Sequence, residues 1–563
     1  MANEPNTPLD QPYGIAESKE VEIIKEVEKS ESSEHPQPLY YEPRDIGDIE
    51  DVEDYRPGGL HPVDMFDTLL DDRFEVCHKL GSGGVATVWL CYEKAVKKWK
   101  AIKINAADRS SDDSPEIRVS KVLQKSGDAS RLLEEYNVAM PLETFWIEGP
   151  NGKHLCTVLP VMGPRLSEWR HMSLGTDATR INNVCHQLTK GLSFLHSHGI
   201  CHGDFRPENI LMQLKGNGLD DLEPEQLFDL LHYPDRDEVL TLEGGRSPNA
   251  PKWVVDPLWW SELRNYISDD IAIVDFGEAF EESQPPKSLG IPRVYAAPEV
   301  IYGGVPAGIG SDLWSLAYTI MATRYGDSLG LDANLCGPLR CMERFAGPIP
   351  PPYRRAAAEE FHEQEMRLFK QHGENPEIEK PASLSEMMAA DGENLKKLTW
   401  EASGLSCVQE IEDELRKELW EQVLVPNEGG EDGKEEKWES VHYCLPEDEI
   451  SLLADLLSRL FKYQPCQRSS AADTLKHAWF KQRPEPIPEV TETGENRLAI
   501  NESESVSAKT CRPPWWARLW RSVYRLVPTN ITQLSRYLQF SAPLGFFIGV
   551  TYRSFFAPPY AKR

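Results

Sequence analysis

Hydrophobic and polar positions divide the chain into segments of clearly different period. Phe74-Glu75-Val76-Cys77-His78-Lys79-Leu80 alternates as a half-buried strand does. It runs into Gly81-Ser82-Gly83-Gly84-Val85-Ala86-Thr87-Val88-Trp89-Leu90, so a second strand is expected beyond a glycine turn, and a third strand ends in Ala101-Ile102-Lys103. Pro115–Leu123 spaces Ile117, Val119, Val122 and Leu123 roughly as a helix would, with Glu116 in its first turn. Cys156–Val161 is a short apolar run closed by Met162-Gly163, the pattern of a buried strand. Ile181–His198 gathers Val184, Leu188, Leu192 and Leu195 on one helical face. A buried strand is expected at Ile271–Val274, an apolar helix from Ser311, and helical order again over Ile450–Phe461.

Outside these segments the chain changes character. Residues 1–54 hold 16 acidic and four basic residues, several prolines and few aromatics, so they offer little apolar surface to offset ordering entropy. They are expected to be a disordered tail, ended by Tyr55-Arg56-Pro57-Gly58-Gly59. Residues 213–270 are rich in Leu, Asp and Pro and contain Trp253, Trp259 and Trp260; residues 325–449 are polar, charged and broken by Gly and Pro. Both read as insertions, the second with a few helices and a disordered acidic segment around Gly429-Gly430-Glu431-Asp432-Gly433. A folded domain is therefore expected over 55–482, then a Pro/Glu-rich linker over 483–510 and a distinct tail over 511–563.

Charge narrows the partners. A formal net charge of −31 argues against nucleic acid and suits basic proteins or peptides, or simply keeps a large chain dissolved. The 11 cysteines contain no C-x-x-C pair, so neither a zinc site nor a disulfide framework is indicated. No apolar run follows Met1, and none anywhere reaches the length of a membrane span, so an intracellular compartment, cytoplasmic or nuclear, is expected. From Ser505 to Arg563 the balance inverts, with nine basic residues and no acidic one. On a helix Arg518, Arg521 and Arg525 fall opposite Trp516, Leu519, Trp520, Val523 and Val527. Such a face suits peripheral contact with a membrane or docking on the acidic body, and both readings stay open.

Most of the chemistry is concentrated in His202-Gly203-Asp204-Phe205-Arg206-Pro207-Glu208-Asn209-Ile210-Leu211. It offers Asp204 to take a proton from a hydroxyl, Arg206 to neutralise charge on a transferring phosphate, and Asn209 to hold a metal ion. Gly81, Gly83 and Gly84 let a backbone approach phosphates closely. Asp275-Phe276-Gly277 follows the Ile271–Val274 strand, Ala297-Pro298-Glu299 comes next, Asp312 opens the apolar helix and Arg468 follows the last one. Taken singly these signals are weak. A hairpin glycine needs no ligand, Lys103 reads as a solvated lysine, and Glu116 as an acid favoured by a helix N-terminus.

Their joint order over roughly 74–482 resembles that of the protein kinases. The closer resemblance is to the SR-protein kinase family, especially its small fungal-type relatives. It is carried by Arg56-Pro57-Gly58-Gly59-Leu60-His61-Pro62-Val63, by Gly83 through Leu90, by the non-arginine Gly203, and by an insertion before Asp275-Phe276-Gly277. It implies an α+β bilobal protein kinase fold, with a β-rich N-lobe over about 74–162 and an α-helical C-lobe over about 163–482, as a monomer. It further implies a serine/threonine kinase using ATP and Mg2+. ATP would lie under Gly81–Val88, among Leu80, Val88, Ala101 and Leu159, with adenine at the Leu159–Met162 backbone; Pro160 lacks an N–H, leaving Met162 to donate. Lys103, held by Glu116, would grip the α- and β-phosphates, and Asp275 and Asn209 would hold Mg2+. Asp204 would accept the hydroxyl proton while Arg206 stabilises the developing charge. Arg468 would pair with Glu299, contributing little if exposed and locking the activation segment if buried and bidentate.

Two departures qualify the resemblance. Gly203 replaces the arginine that usually precedes the catalytic aspartate, so control by activation-loop phosphate loses its main cation. Arg206 replaces the usual lysine with a bulkier planar cation. The family implies basic Arg/Ser-type substrates, although no Arg-Ser repeat occurs in the chain. Two rival readings are a pseudokinase scaffold, which would have lost Lys103, Asp204 or Asp275, and a small-molecule phosphotransferase, which would lack Ala297-Pro298-Glu299 and the Asp312 helix.

Overall fold

The computed structural model describes residues 40–42, 49–172, 178–231, 234–326, 407–417, 419–426 and 436–481, with scattered positions between 342 and 357. The expected strands β2 (Phe74–Gly83), β3 (Ala86–Glu93), β4 (Lys98–Asn105) and β6 (Gly152–Leu159) join β1 (Thr68–Leu69) and β5 (Glu143–Gly149), which the sequence pattern did not mark, in one antiparallel sheet of order β1-β2-β3-β4-β6-β5. Side-chain alternation divides its two faces. Trp89, Cys91, Ile102, Ile104, Cys156 and Val158 join Phe74 and Val76 in an upper cluster. Leu90, Tyr92 and Trp99 point the other way, into the main core. In that core they meet Val119 and Leu123 of α1 (Pro115–Leu123), which α2 (Ala129–Tyr136) follows.

The C-terminal lobe is helical. After the short α3 (Leu166–Met172), α4 (Ala178–Ser197) buries Val184, Leu188, Leu192 and Leu195 completely, as its period predicts. Gly199 then takes a φ of 67°, a left-handed conformation that ends the helix and turns the chain into β7 (Ile200–Cys201). Strand β8 (Ile210–Leu214) pairs antiparallel with β11 (Ile267–Ile273) under the sheet, and β7 pairs with β12 (Phe280–Glu281). Helices α6 (Pro298–Tyr302), α7 (Ile309–Tyr325), α8 (Cys407–Leu415), α9 (Glu447–Leu460), α10 (Ala471–Thr474) and α11 (Ala478–Lys481) complete the lobe.

The stretch 213–270 is built, and it reaches back over the N-terminal lobe. It carries α5 (Pro224–Leu230) and a ribbon of β9 (Arg236–Glu238) with β10 (Trp253–Val255). Asp220 Oδ1 accepts from Trp99 N at 2.9 Å, Leu222 O from Trp99 Nε1 at 2.8 Å, and Glu223 from the Tyr92 hydroxyl at 2.6 Å. Leu258 N donates to Lys79 O at 2.8 Å, on the edge of β2 just before the glycine turn. The second insertion also departs from expectation. Strands β13 (Leu419–Pro426) and β14 (Glu436–Tyr443) form an antiparallel hairpin, and the Tyr325 hydroxyl donates to Glu414 O at 2.8 Å. Its acidic glycine segment lies outside the described residues.

The domain also begins earlier than expected. Residues 40–42 and 49–54, assigned to a disordered tail, are packed: Tyr41 bridges Thr241, and Tyr41, Val52 and Tyr55 share a cluster with Leu60, Val239 and Val254. Glu50 forms a fully buried ion pair with Lys79, and the Tyr55 hydroxyl donates to Glu50 at 2.5 Å. Burial pushes the Glu50 carboxyl up, yet Lys79 and these hydrogen bonds hold it below the ordinary range. Averaged composition hid these few anchoring side chains. Glu50→Gln takes the negative charge away from the buried Lys79 ammonium, at an expected cost of about 3–5 kcal/mol in thermal unfolding. Lys79→Met in the same chain should recover most of it; no recovery would show that the pair is not what anchors the segment.

Candidate active site

Four strands and one helix set the upper half of the cleft. Gly81 lies opposite Val88 and Val88 opposite Lys103, while Leu90 faces Ala101 and Ala101 faces Leu159. Register thus gathers Gly81, Val88, Ala101, Lys103 and Leu159 on neighbouring strands, with Leu80 half-buried beside them and Gly83 and Gly84 exposed at the turn. Met162 is buried with Ala139 and Ala272, and the chain after it is fastened to the floor, Gly163 N donating to Met212 O at 2.7 Å and Met212 N to Pro164 O at 2.9 Å.

Lys103 is not a solvated lysine: its side chain is 12% exposed. Its Nζ lies 2.8 Å from Asp275 Oδ1 and 3.6 Å from Glu116 Oε2 on α1. Burial opposes the ammonium charge, but the two carboxylates hold its pKa above the ordinary lysine range. Lys103 in turn holds Asp275 below the ordinary aspartate range. Asp275 has a φ of 61°, the left-handed geometry that turns the chain from β11 into the cleft.

Below, the catalytic-loop candidates converge on one carboxylate. Asn209 Nδ2 donates to Asp204 Oδ2 at 2.7 Å and to Asp204 O at 2.8 Å. Arg206 Nε donates to both Asp204 oxygens at 3.0 and 3.1 Å. Burial raises the Asp204 carboxyl above its ordinary range, against the lowering influence of Arg206, Asn209 and His202. The loop is fixed from beneath by Asp312 of α7, which accepts from His202 N at 2.7 Å and Gly203 N at 3.0 Å. Gly203 has a φ of 79° and is buried against the Glu278 carbonyl, so no side chain fits there. Val274 N donates to Asn209 O at 3.0 Å, which brings the two metal-ligand candidates onto adjoining segments.

Asn209 and Asp275 fit a hard divalent cation. The Asn209 amide nitrogen is spent on Asp204, which turns its oxygen toward other partners, and Asp275 has a second carboxylate oxygen beyond the one on Lys103. Among the described residues no group of three or more His, Cys, Asp or Glu surrounds a common point. Two oxygen donors suit Mg2+ held together with substrate phosphates and water. Glu208, which sequence reading passed over, accepts from Arg206 Nη1 at 3.0 Å; the signal available was an acid two residues after the cation.

Residues 74–223 match the protein kinase domain family. Protein kinase dsk1 of Schizosaccharomyces pombe is 34% identical over 181 residues, 31% of this chain and 32% of dsk1. Human SRSF protein kinase 3 is 34% identical over 168 residues, 29% of each chain, and the serine/threonine-protein kinase SKY1 of Saccharomyces cerevisiae 33% over 174 residues, 29% of this chain and 23% of SKY1. The chain thus spans a third or less of the relatives it matches. It carries a eukaryotic protein kinase domain in the bilobal α+β protein kinase fold. Within that class it is SR-protein kinase-like.

Proposed function

We propose that the chain is a protein serine/threonine kinase that transfers the γ-phosphate of ATP to basic, Arg/Ser-type protein substrates. The observation that carries this reading is the joint placement of Lys103 between Glu116 and Asp275, with Val274 beside Asp275 bonded to Asn209, whose amide in turn holds Asp204. Lys103 grips the α- and β-phosphates, and the glycine turn covers them. Asp204 orients and deprotonates the substrate hydroxyl, and Arg206 neutralises charge on the transferring group. Mg2+, held by Asn209 and Asp275, would supply the positive charge that offsets the β- and γ-phosphates. Lys103, Asp204 and Asp275 are all present, so the sequence gives no sign of a scaffold without turnover. Transfer from γ-labelled ATP to an Arg/Ser peptide, with Asp204→Asn as control, tests the reading; labelling of an acidic serine peptide instead would overturn its substrate half.

Asp204 must be ionised to accept the proton, and burial raises its pKa. As pH falls, kcat/KM should therefore drop before an ordinary aspartate, near 3.8, would protonate. An acid limb at or below that value would show that Asp204 is not the base.

Phosphate on 275–299 is expected to be dispensable, because Gly203 provides no cation to receive it. Protein made in bacteria and treated with phosphatase should keep most of its activity, and a large loss would refute this. Gly203→Arg should lower both melting temperature and activity, since it forces a side chain into the Glu278 backbone.

No helix among the described residues is long and apolar enough to cross a membrane. The 511–563 tail lies outside those residues. For it we propose either contact with an anionic membrane surface or docking on the acidic kinase body, which flotation of the tail with anionic liposomes separates.

A further inference from the structure

The catalytic loop contains a contact that a lysine at position 206 would not require. Arg206 Nε donates to Asp204 Oδ1 and Oδ2 at 3.0 and 3.1 Å, while Nη1 of the same guanidinium donates to Glu208 Oε2 at 3.0 Å. The three side chains are only partly exposed, 13% for Asp204, 25% for Arg206 and 32% for Glu208. Pro207 between the two partners has a locked φ, and it opens a single 3-10 turn over Pro207–Asn209. A guanidinium is a rigid planar fork. Fixing Nε on one acid and Nη1 on another therefore fixes the direction of Nη2, which is bonded to neither carboxylate.

We propose that Glu208 is a positioning residue: by holding Nη1 it makes Arg206 divide its donors, Nε orienting Asp204 and Nη2 meeting the γ-phosphoryl group. This rests on the kinase reading above. A lysine ammonium is a compact point charge that reaches both the aspartate and a phosphate from one atom, so it needs no second carboxylate to aim it. The competing assignment gives Glu208 to a cationic substrate residue, since it also lines a small recess with Ser167, His171 and Tyr295. That assignment is disfavoured because Oε2 is already engaged by Arg206 Nη1, so an incoming cation would have to share that oxygen with the guanidinium or displace it.

The test is a double-mutant cycle in the full-length chain, with ATP and an Arg/Ser peptide. Glu208→Ala is expected to lower kcat about tenfold while both KM values stay within about twofold, the mark of an interaction needed in the transition state. Glu208→Gln, whose amide oxygen still accepts from Nη1, should restore most of the rate. In an Arg206→Lys background Glu208→Ala should change kcat by less than about twofold. Without substrate, the Arg206 Nε–H resonance of arginine-labelled protein should exchange faster in Glu208→Ala than in wild type.

Equal losses in the arginine and lysine backgrounds would overturn the proposal. So would a raised peptide KM with unchanged kcat, which would make Glu208 a substrate contact. A wild-type chain that transfers no phosphate would sink the kinase reading itself. The Nε–H exchange would then decide alone whether Glu208 orients Arg206, unchanged exchange refuting it.

Discussion

Asp204→Asn is expected to cut kcat by roughly 10²–10³, and Asp275→Asn by a comparable factor, with the fold retained in both. Asparagine at 204 keeps an oxygen for Asn209 and Arg206 but cannot take a proton, so the loop stays closed while the base is lost. At 275 the loss is of charge. Asp275 is the nearer of the two acids on Lys103, and its removal leaves the ammonium to Glu116 at 3.6 Å while weakening the site proposed for Mg2+. The two variants should therefore separate in KM for ATP, raised by Asp275→Asn and little changed by Asp204→Asn. Steady-state kinetics over a range of Mg2+ concentration, with circular dichroism to confirm folding, reads both. Wild-type speed in either variant would remove that residue from the mechanism.

What was legible in the sequence had a local cause. The face of Val184, Leu188, Leu192 and Leu195 follows from helical period alone, and all four are fully buried. Lys103 and Asn209 could be singled out because phosphate chemistry would favour such residue types, and they do lie against Asp275 and Asp204 respectively. The geometry among them was not legible. That Lys103 contacts Asp275 more closely than Glu116 depends on how α1 and β11 meet in space.

The insertion at 213–270 was illegible for a different reason. Its hold on the N-terminal lobe runs through backbone groups and single distant side chains, such as Leu258 N on Lys79 O and Leu222 O on Trp99 Nε1, which leave no periodic pattern. The packed start of the domain was concealed by its acidic surroundings, for Glu50 looks like any other acid of the tail until Lys79 is found beside it. Charge in a sequence marks solvent only when its partner is also in solvent.

Arg468→Met is expected to lower stability by about 3–5 kcal/mol, the cost of leaving one half of a buried ion pair. The sequence left open whether Arg468 and Glu299 would meet at the surface; both side chains are fully buried. Arg468 Nη1 donates to Glu299 Oε1 at 2.6 Å and Nη2 to Oε2 at 2.8 Å, the bidentate geometry that makes such pairs strong. The same guanidinium donates to Gly310 O at 2.6 Å and Lys462 O at 2.8 Å, and lies 5.2 Å from the Trp314 ring centre. One side chain therefore joins the end of the activation segment at α6, the start of α7 and the turn after α9. Arg468→Lys should rescue little, because one ammonium cannot satisfy two carboxylate oxygens and two carbonyls at fixed angles. Arg468→Met combined with Glu299→Leu removes both charges and should recover part of the loss, the carbonyls of Gly310 and Lys462 still lacking the guanidinium donor. Since α6 closes the activation segment, Arg468→Met should also raise KM for the peptide more than KM for ATP, none of whose proposed contacts lies on α6. Thermal unfolding and two-substrate kinetics on the four proteins decide it. A melting temperature unchanged in Arg468→Met would mean that the lobe is held by packing alone.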